Sequence, residues 1–133
     1  MKGLVYHGAK DIRYESHEDP KLAADTDVIV KVEACSICGS DLHIYHGQGF
    51  SADTGFCVGH ESVGEIVESG RAVRRLKVGD KVMLSAAVGC GMCGPCMAGK
   101  TELCRTGGLA CYGLSSRLGG GQAEAIRVPM ADI

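Results

Sequence analysis

Four cysteines fall within fifteen residues, Cys90, Cys93, Cys96 and Cys104, in the run GCGMCGPCMAGKTELC. Their separations of three, three and eight put four soft thiolates on one short loop, and Gly91, Gly94, Pro95 and Gly99 let its backbone fold back on itself. Four thiolates closing a tetrahedron around Zn²⁺ leave no position for water or substrate, which makes such a site structural rather than catalytic. Two disulfides are the competing reading. Cys90 and Cys93 are too close for an easy bridge, and the opening MKGLVYHG has no apolar leader to suggest export. Zinc is therefore expected in a lobe spanning about 88–112, and the fold must be built around it.

The rest of the chain is consistent with one domain. Its 133 residues suffice to bury a hydrophobic core. No apolar run approaches the ~20 residues of a membrane helix. A cytoplasmic location is expected, where cysteines stay reduced and serve metal or catalytic roles. Net charge is −2, and the densest basic group, Arg71, Arg74, Arg75 and Lys77, sits among acids and valines. A nucleic-acid partner needs a clustered basic face, so neither nucleic acid nor membrane is an expected partner.

Short β-like runs separated by turn signals dominate, at 2–6, 12–14, 28–33, 63–68, 81–85 and 123–129. Gly79-Asp80 is a turn feeding the run at 81–84. Many short strands at this spacing predict a mainly β fold, a sandwich or a partly open barrel. Helix is expected only for a turn or two after Cys38 and again near 97–104. Two inserts, 36–60 and 90–121, interrupt the strands, and both carry metal-binding residue types.

The first insert holds Cys38-Gly39-Ser40-Asp41-Leu42-His43 and ends at Gly59-His60-Glu61. Cys38 offers a thiolate, His60 an imidazole nitrogen and Glu61 a carboxylate, the mixed set of a catalytic zinc that keeps one position open. If a helical turn begins at Gly39, Cys38 and Asp41 share a face. Asp41 would then accept the other ring N–H of His60 and fix its tautomer for metal binding. Ser40 and His43 are also three apart and form a hydroxyl-to-imidazole path for a departing proton. Glu61 has a second reading, an anchor for backbone or for a positive residue.

With these motifs in order, the chain resembles the N-terminal, GroES-like catalytic domain of the zinc-dependent medium-chain alcohol dehydrogenases. The resemblance covers essentially all of residues 1–133 and rests on CGSDLH at 38–43, GHESVGEIVESG at 59–70, VGDKV at 78–82 and the cysteine lobe. It implies a GroES-like, partly open β-barrel with a structural-zinc lobe. It further implies a catalytic zinc on Cys38 and His60, with Glu61 a ligand or close beside one. Ser40 would bind the substrate hydroxyl and His43 would pass its proton to solvent. The resemblance implies hydride transfer from a small alcohol or polyol to NAD or NADP, two zincs per complete subunit, and a homo-oligomer at full length. In that family a further zinc ligand and the dinucleotide-binding domain come from beyond the point that Ile133 matches. Gly119-Gly120-Gly121 is no substitute, because a strand-like run rather than a helix follows it.

Other readings are simpler. Cys35 and Cys38 form a CxxC, but the strand-rich flanks do not supply a thioredoxin-like setting, so Cys35 is expected as a buried residue ending a strand. Cys57 and Cys111 are expected to pack, Cys57 within reach of the His60 pocket. His7 and His17 are expected at the surface. Tyr45 and His46 either line a substrate mouth or are simply exposed. Two rival functions remain: a non-enzymatic binding module stabilised by the lobe, and a co-chaperonin-like barrel without metal.

Overall fold

Alternating apolar residues and β-branched runs produce strands wherever the sequence predicts them. The computed structural model describes residues 1–49, 51–105 and 110–133; residues 106–109 of the expected lobe lie outside that description. β1 (Lys2–Gly8) pairs antiparallel with β2 (Asp11–Ser16) on one side and with β4 (Phe56–Cys57) on the other. The larger sheet has the order β6-β5-β3-β9, from Lys81–Met83, Ser62–Ser69, Val28–Cys35 and Ala125–Val128. β7 (Ala87–Val88) and β8 (Ala110–Cys111) form a small third ladder.

Residues 122–124 join the two larger sheets. Leu4 donates to the Gln122 carbonyl at 2.8 Å, Glu124 to that of Lys2 at 3.0 Å, and Val32 to that of Glu124 at 2.9 Å. One extended segment thus satisfies backbone groups of both β1 and β3, and the sheets stay open around it. This is the mainly β, partly open architecture that the strand spacing predicts.

Two apolar clusters fill the interior. Val28, Val30, Ile66, Tyr112, Leu118 and Ile126 pack on the larger sheet, and Tyr6, Ile44, Phe56 and Val58 on the smaller. The first half of β3 is buried because it lies between β5 and β9. β9 pairs only as far as Lys31. The second half of β3 loses that neighbour, so Cys35 is exposed rather than buried as the sequence suggested. The expected strands at 81–85 and 123–129 are shorter, ending as pairing ends at Met83 and beginning at Ala125.

α1 (Gly39–Tyr45) begins where the sequence predicts a helical turn. Cys38 takes the place usually held by serine at the N-cap. Its sulfur accepts the Ser40 N–H at 3.3 Å, and the Asp41 carboxylate accepts the Cys38 N–H at 2.9 Å, a reciprocal capping box. Asp41 and Ile44 form the buried face of the helix, and Ile44 anchors it in the smaller cluster. α2 (Gly94–Met97) is a single turn with Pro95 in its first positions, followed by a 3₁₀ turn at Thr101–Leu103.

Ile66 is fully buried, whereas Val67 beside it is 45% exposed. Ile66→Ala should therefore lower unfolding free energy by roughly 2–5 kcal/mol, and Val67→Ala should change it by no more than about 0.5 kcal/mol. Urea unfolding followed by circular dichroism measures both.

Candidate functional site

Strand, helix and loop bring two clusters of metal-ligating side chains together. In the lobe, the sulfurs of Cys90, Cys93, Cys96 and Cys104 all lie within 4.8 Å of one another. Cys90 and Cys96 sulfurs are 4.0 Å apart, as are those of Cys93 and Cys104. A disulfide needs about 2.05 Å. Two thiolates on a tetrahedral zinc at 2.3 Å per bond stand about 3.8 Å apart, so the observed spacing fits a shared ion and not a bridge.

Backbone amides reinforce that fit. The N–H groups of Met92 and Cys93 point at the Cys90 sulfur at 3.5 and 3.4 Å. The amides of Arg105 and Cys96 do the same for Cys93 and draw its thiol down to about 7. Burial pushes Cys96 the other way, to about 11. The lobe stabilises negative sulfur at one position and resists it at another, a tension that a divalent cation removes.

The second cluster joins Cys38, Asp41 and His60, again within 4.8 Å. His60 is buried with its ring between the other two. Its Nε2 is 2.9 Å from the Cys38 sulfur, and its Nδ1 is 3.6 Å from Asp41 Oδ1. Asp41 Oδ1 and His60 Nδ1 are both buried and have no closer hydrogen-bond partner. They face each other across that 3.6 Å, longer than the hydrogen bond that the sequence reading of Asp41 expects. A thiolate and an imidazole sharing a tetrahedral zinc stand about 3.6 Å apart. A small side-chain rotation would exchange the sulfur–nitrogen contact for a common ion. The donor set and its convergence fit zinc.

The approach of His60 depends on glycine. Gly59 has φ +98°, and a Cβ there would lie 2.4 Å from Gln122 Cγ. Across from it, a Cβ on Gly120 would lie 2.3 Å from the Val58 carbonyl oxygen. Gly120 and Gly121 are thus closely packed, the first against backbone and the second against Ser62, whereas Gly119 is in open space.

Ser40 is half-buried in the first turn of α1, and His43 is exposed one turn on. His43 Nδ1 is 3.2 Å from Gln48 Oε1. Glu61 is not gathered into the cluster: it is exposed, and its carboxylate accepts the Ser36 hydroxyl. Tyr45 and His46 are exposed, with an edge-on ring contact, and His46 Nδ1 meets the Leu42 carbonyl at 2.8 Å. His7 pairs with Glu15 at 2.6 Å, and His17 reaches the Gly55 carbonyl at 3.1 Å, both at the surface.

Cys57 is buried beside Gly3 and packs, as expected. Cys111 is half-buried, and its thiol is pushed up first by burial and then by the nearby charges of Cys38 and Asp41. Sequence reasoning missed that placement, along with the polar contacts of Ser36 and Gln122. None of the three carries a spacing signal: Cys111 and Gln122 come from distant parts of the chain, and Ser36, though near Cys38, finds its partners Glu61 and Gln122 far along it.

The model for the alcohol dehydrogenase GroES-like domain matches residues 24–133. The chain belongs to that family. This GroES-like domain is 44% identical over 133 residues to a medium chain reductase/dehydrogenase of Acremonium sp, covering 99% of the chain and 44% of that relative. It is 42% identical over 132 residues to a "Probable zinc-binding alcohol dehydrogenase" of Mycobacterium tuberculosis, covering 99% of the chain and 34% of that relative. Among solved structures, the alcohol dehydrogenase TADH from Thermus sp. ATN1 superposes with a TM-score of 0.92 at 32% identity, over 100% of this chain and 38% of that one. The GroES-like domain therefore spans less than half the length of these relatives.

In chelator-treated protein, alkylation of Cys93 should rise with pH through about 7 and then level off, because the thiolate is the nucleophile. Cys96 should resist at every pH below about 11. Iodoacetamide labelling with peptide mass mapping across pH 5–9 reads both.

Proposed function

We propose that this chain is the zinc-binding catalytic domain of an NAD(P)-dependent dehydrogenase acting on a small alcohol or polyol. The observation that carries the reading is the convergence of Cys38, His60 and Asp41, separate from the four-cysteine lobe. A binding module stabilised by the lobe would leave this second cluster without a purpose. A metal-free barrel would leave both without one.

Held between Cys38 and His60, zinc would supply Lewis acidity toward a hydroxyl oxygen. The chain's own residues do the remaining work. Asp41 orients His60 so that Nε2, not Nδ1, points at the metal position. Ser40, half-buried beside Cys38, accepts the proton of the substrate hydroxyl as it passes its own along. Gln48 Oε1 accepts from His43 Nδ1, which leaves His43 Nε2 with its lone pair free to take the proton and release it to solvent. The Cys90, Cys93, Cys96 and Cys104 lobe would hold a second, structural zinc.

Hydride transfer needs a nicotinamide carbon within about 3–3.5 Å of the substrate carbon. The acceptor, NAD or NADP, would be held by a dinucleotide-binding domain in the remaining length that the relatives possess. At full length the enzyme would work in the cytoplasm as a homo-oligomer. Of the two readings of Glu61, a ligand or a close neighbour of one, the proposed zinc centre takes the second, with the carboxylate accepting the Ser36 hydroxyl.

Two measurements test the proposal. Cys96→Ser should lower Tm more than Cys38→Ser, because closing the lobe by metal contributes folding free energy; equal melting, with and without chelator, would count against a structural zinc. The 133-residue chain should not reduce NAD or NADP with any of a panel of alcohols, whereas the chain extended to the relatives' length should. In that longer protein His43→Ala should slow turnover about ten- to a hundred-fold and alter its pH profile. An extended protein inactive on every alcohol would favour the binding module.

A further inference from the structure

Ser36 lies between Cys35 and Cys38 and is held by three hydrogen bonds. Its N–H donates to the Glu61 carbonyl at 3.0 Å, and its hydroxyl donates to the Glu61 carboxylate. Its own carbonyl accepts from Gln122 Nε2 at 3.1 Å. Gln122 is 6% exposed, and its Cγ presses on Gly59 too closely for any side chain there. Gln122 also donates its N–H to Val58 at 2.9 Å and accepts that of Leu4 at 2.8 Å. A rigid third segment therefore sets the position of the Ser36 backbone, and with it the direction of the hydroxyl.

Glu61 follows His60 directly, yet its carboxylate is outside the cluster of Cys38, Asp41 and His60. A carboxylate tethered one residue from a metal ligand is a strong competitor for any open coordination position. It is anionic, and its effective concentration there is high. A neutral alcohol is a much weaker ligand. Something has to restrain the carboxylate if substrate is to reach the metal.

We infer that Ser36 is a positioning residue whose hydroxyl holds the Glu61 carboxylate outside the Cys38–His60 metal centre and so keeps a coordination position open for substrate. The inference rests on the metal centre proposed above. Its physical basis is a charge-assisted hydrogen bond from a donor whose backbone is fixed on two sides. Deleting the hydroxyl releases Glu61 without touching a metal ligand.

The test is a cobalt(II) titration of the chain with its lobe already loaded with zinc, followed by the visible d–d absorption of the second site. Ser36→Ala should bind that cobalt about tenfold more tightly than wild type, the scale on which partners of ligands alter metal affinity, and with an altered spectrum. Ser36→Thr keeps the hydroxyl and should match wild type. Ser36→Ala/Glu61→Gln should match Glu61→Gln alone, because there is then no carboxylate to release. Ser36→Gly removes the same hydroxyl and carries the test if the alanine variant fails to fold by circular dichroism.

Unchanged or weaker binding in the hydroxyl-deleted variants overturns the inference, as does a gain that persists without Glu61. If wild type and Glu61→Gln both take up no cobalt beyond the lobe, the proposed metal centre itself falls, and the inference falls with it.

Discussion

Asp41 is hydrogen-bonded on one side and faces His60 on the other, and the geometry of the candidate site depends on it. One carboxylate oxygen accepts the Cys38 N–H at 2.9 Å, and the other faces His60 Nδ1 at 3.6 Å. The first contact caps α1 and fixes where its first turn begins. The second brings an oxygen without a hydrogen-bond partner up to an imidazole nitrogen that also has none. A buried carboxylate is costly unless its oxygens are satisfied, so the same group both caps the helix and presents a polar atom to the cluster. Cys38 is correspondingly double, an N-cap through its sulfur and a metal-ligand candidate through the same atom.

The lobe follows a different logic. It has little apolar surface of its own: its buried cluster consists of Cys90, Cys96 and Cys104, with Cys93 and Met130 against it. Met92, Met97 and Leu103 point outward. A loop of this composition cannot recover its ordering entropy by hydrophobic burial alone. Amides directed at Cys90 and Cys93 supply part of the stabilisation, and four converging sulfurs supply the means for a metal to contribute the rest. The lobe thus gathers four sulfurs, whereas the second cluster gathers one sulfur, one imidazole and one carboxylate.

In the 57–60 segment close backbone approach decides the position of His60. Gly120 donates to the Cys57 carbonyl at 2.6 Å and Gly121 to that of Gly59 at 3.0 Å. Side chains at these glycines would collide with backbone or with Ser62. Gly120 and Gly121 therefore work as a spacer of minimal thickness, and Gln122 after them reaches across to Ser36. Through this contact the segment leading into β9 bears on the loop that carries Cys38.

Much of the candidate site is legible in the sequence because its chemistry is local. The Cys90, Cys93, Cys96 and Cys104 set spans fifteen residues, and the offsets from Cys38 to Asp41 and from Ser40 to His43 are each three residues. Short-range geometry dictates which side chains can meet there. Strands β1, β3 and β5 are legible for the same reason, since alternation and β-branching act residue by residue. The tertiary structure alone decided the rest. Cys35 is exposed because β9 stops pairing at Lys31, Cys111 comes near Cys38 because β8 returns beside the site, and Glu61 meets Ser36 because β3 and β5 share a register. Each of those contacts joins residues more than twenty positions apart or depends on where a neighbouring strand ends, and no local pattern encodes the packing that brings them together.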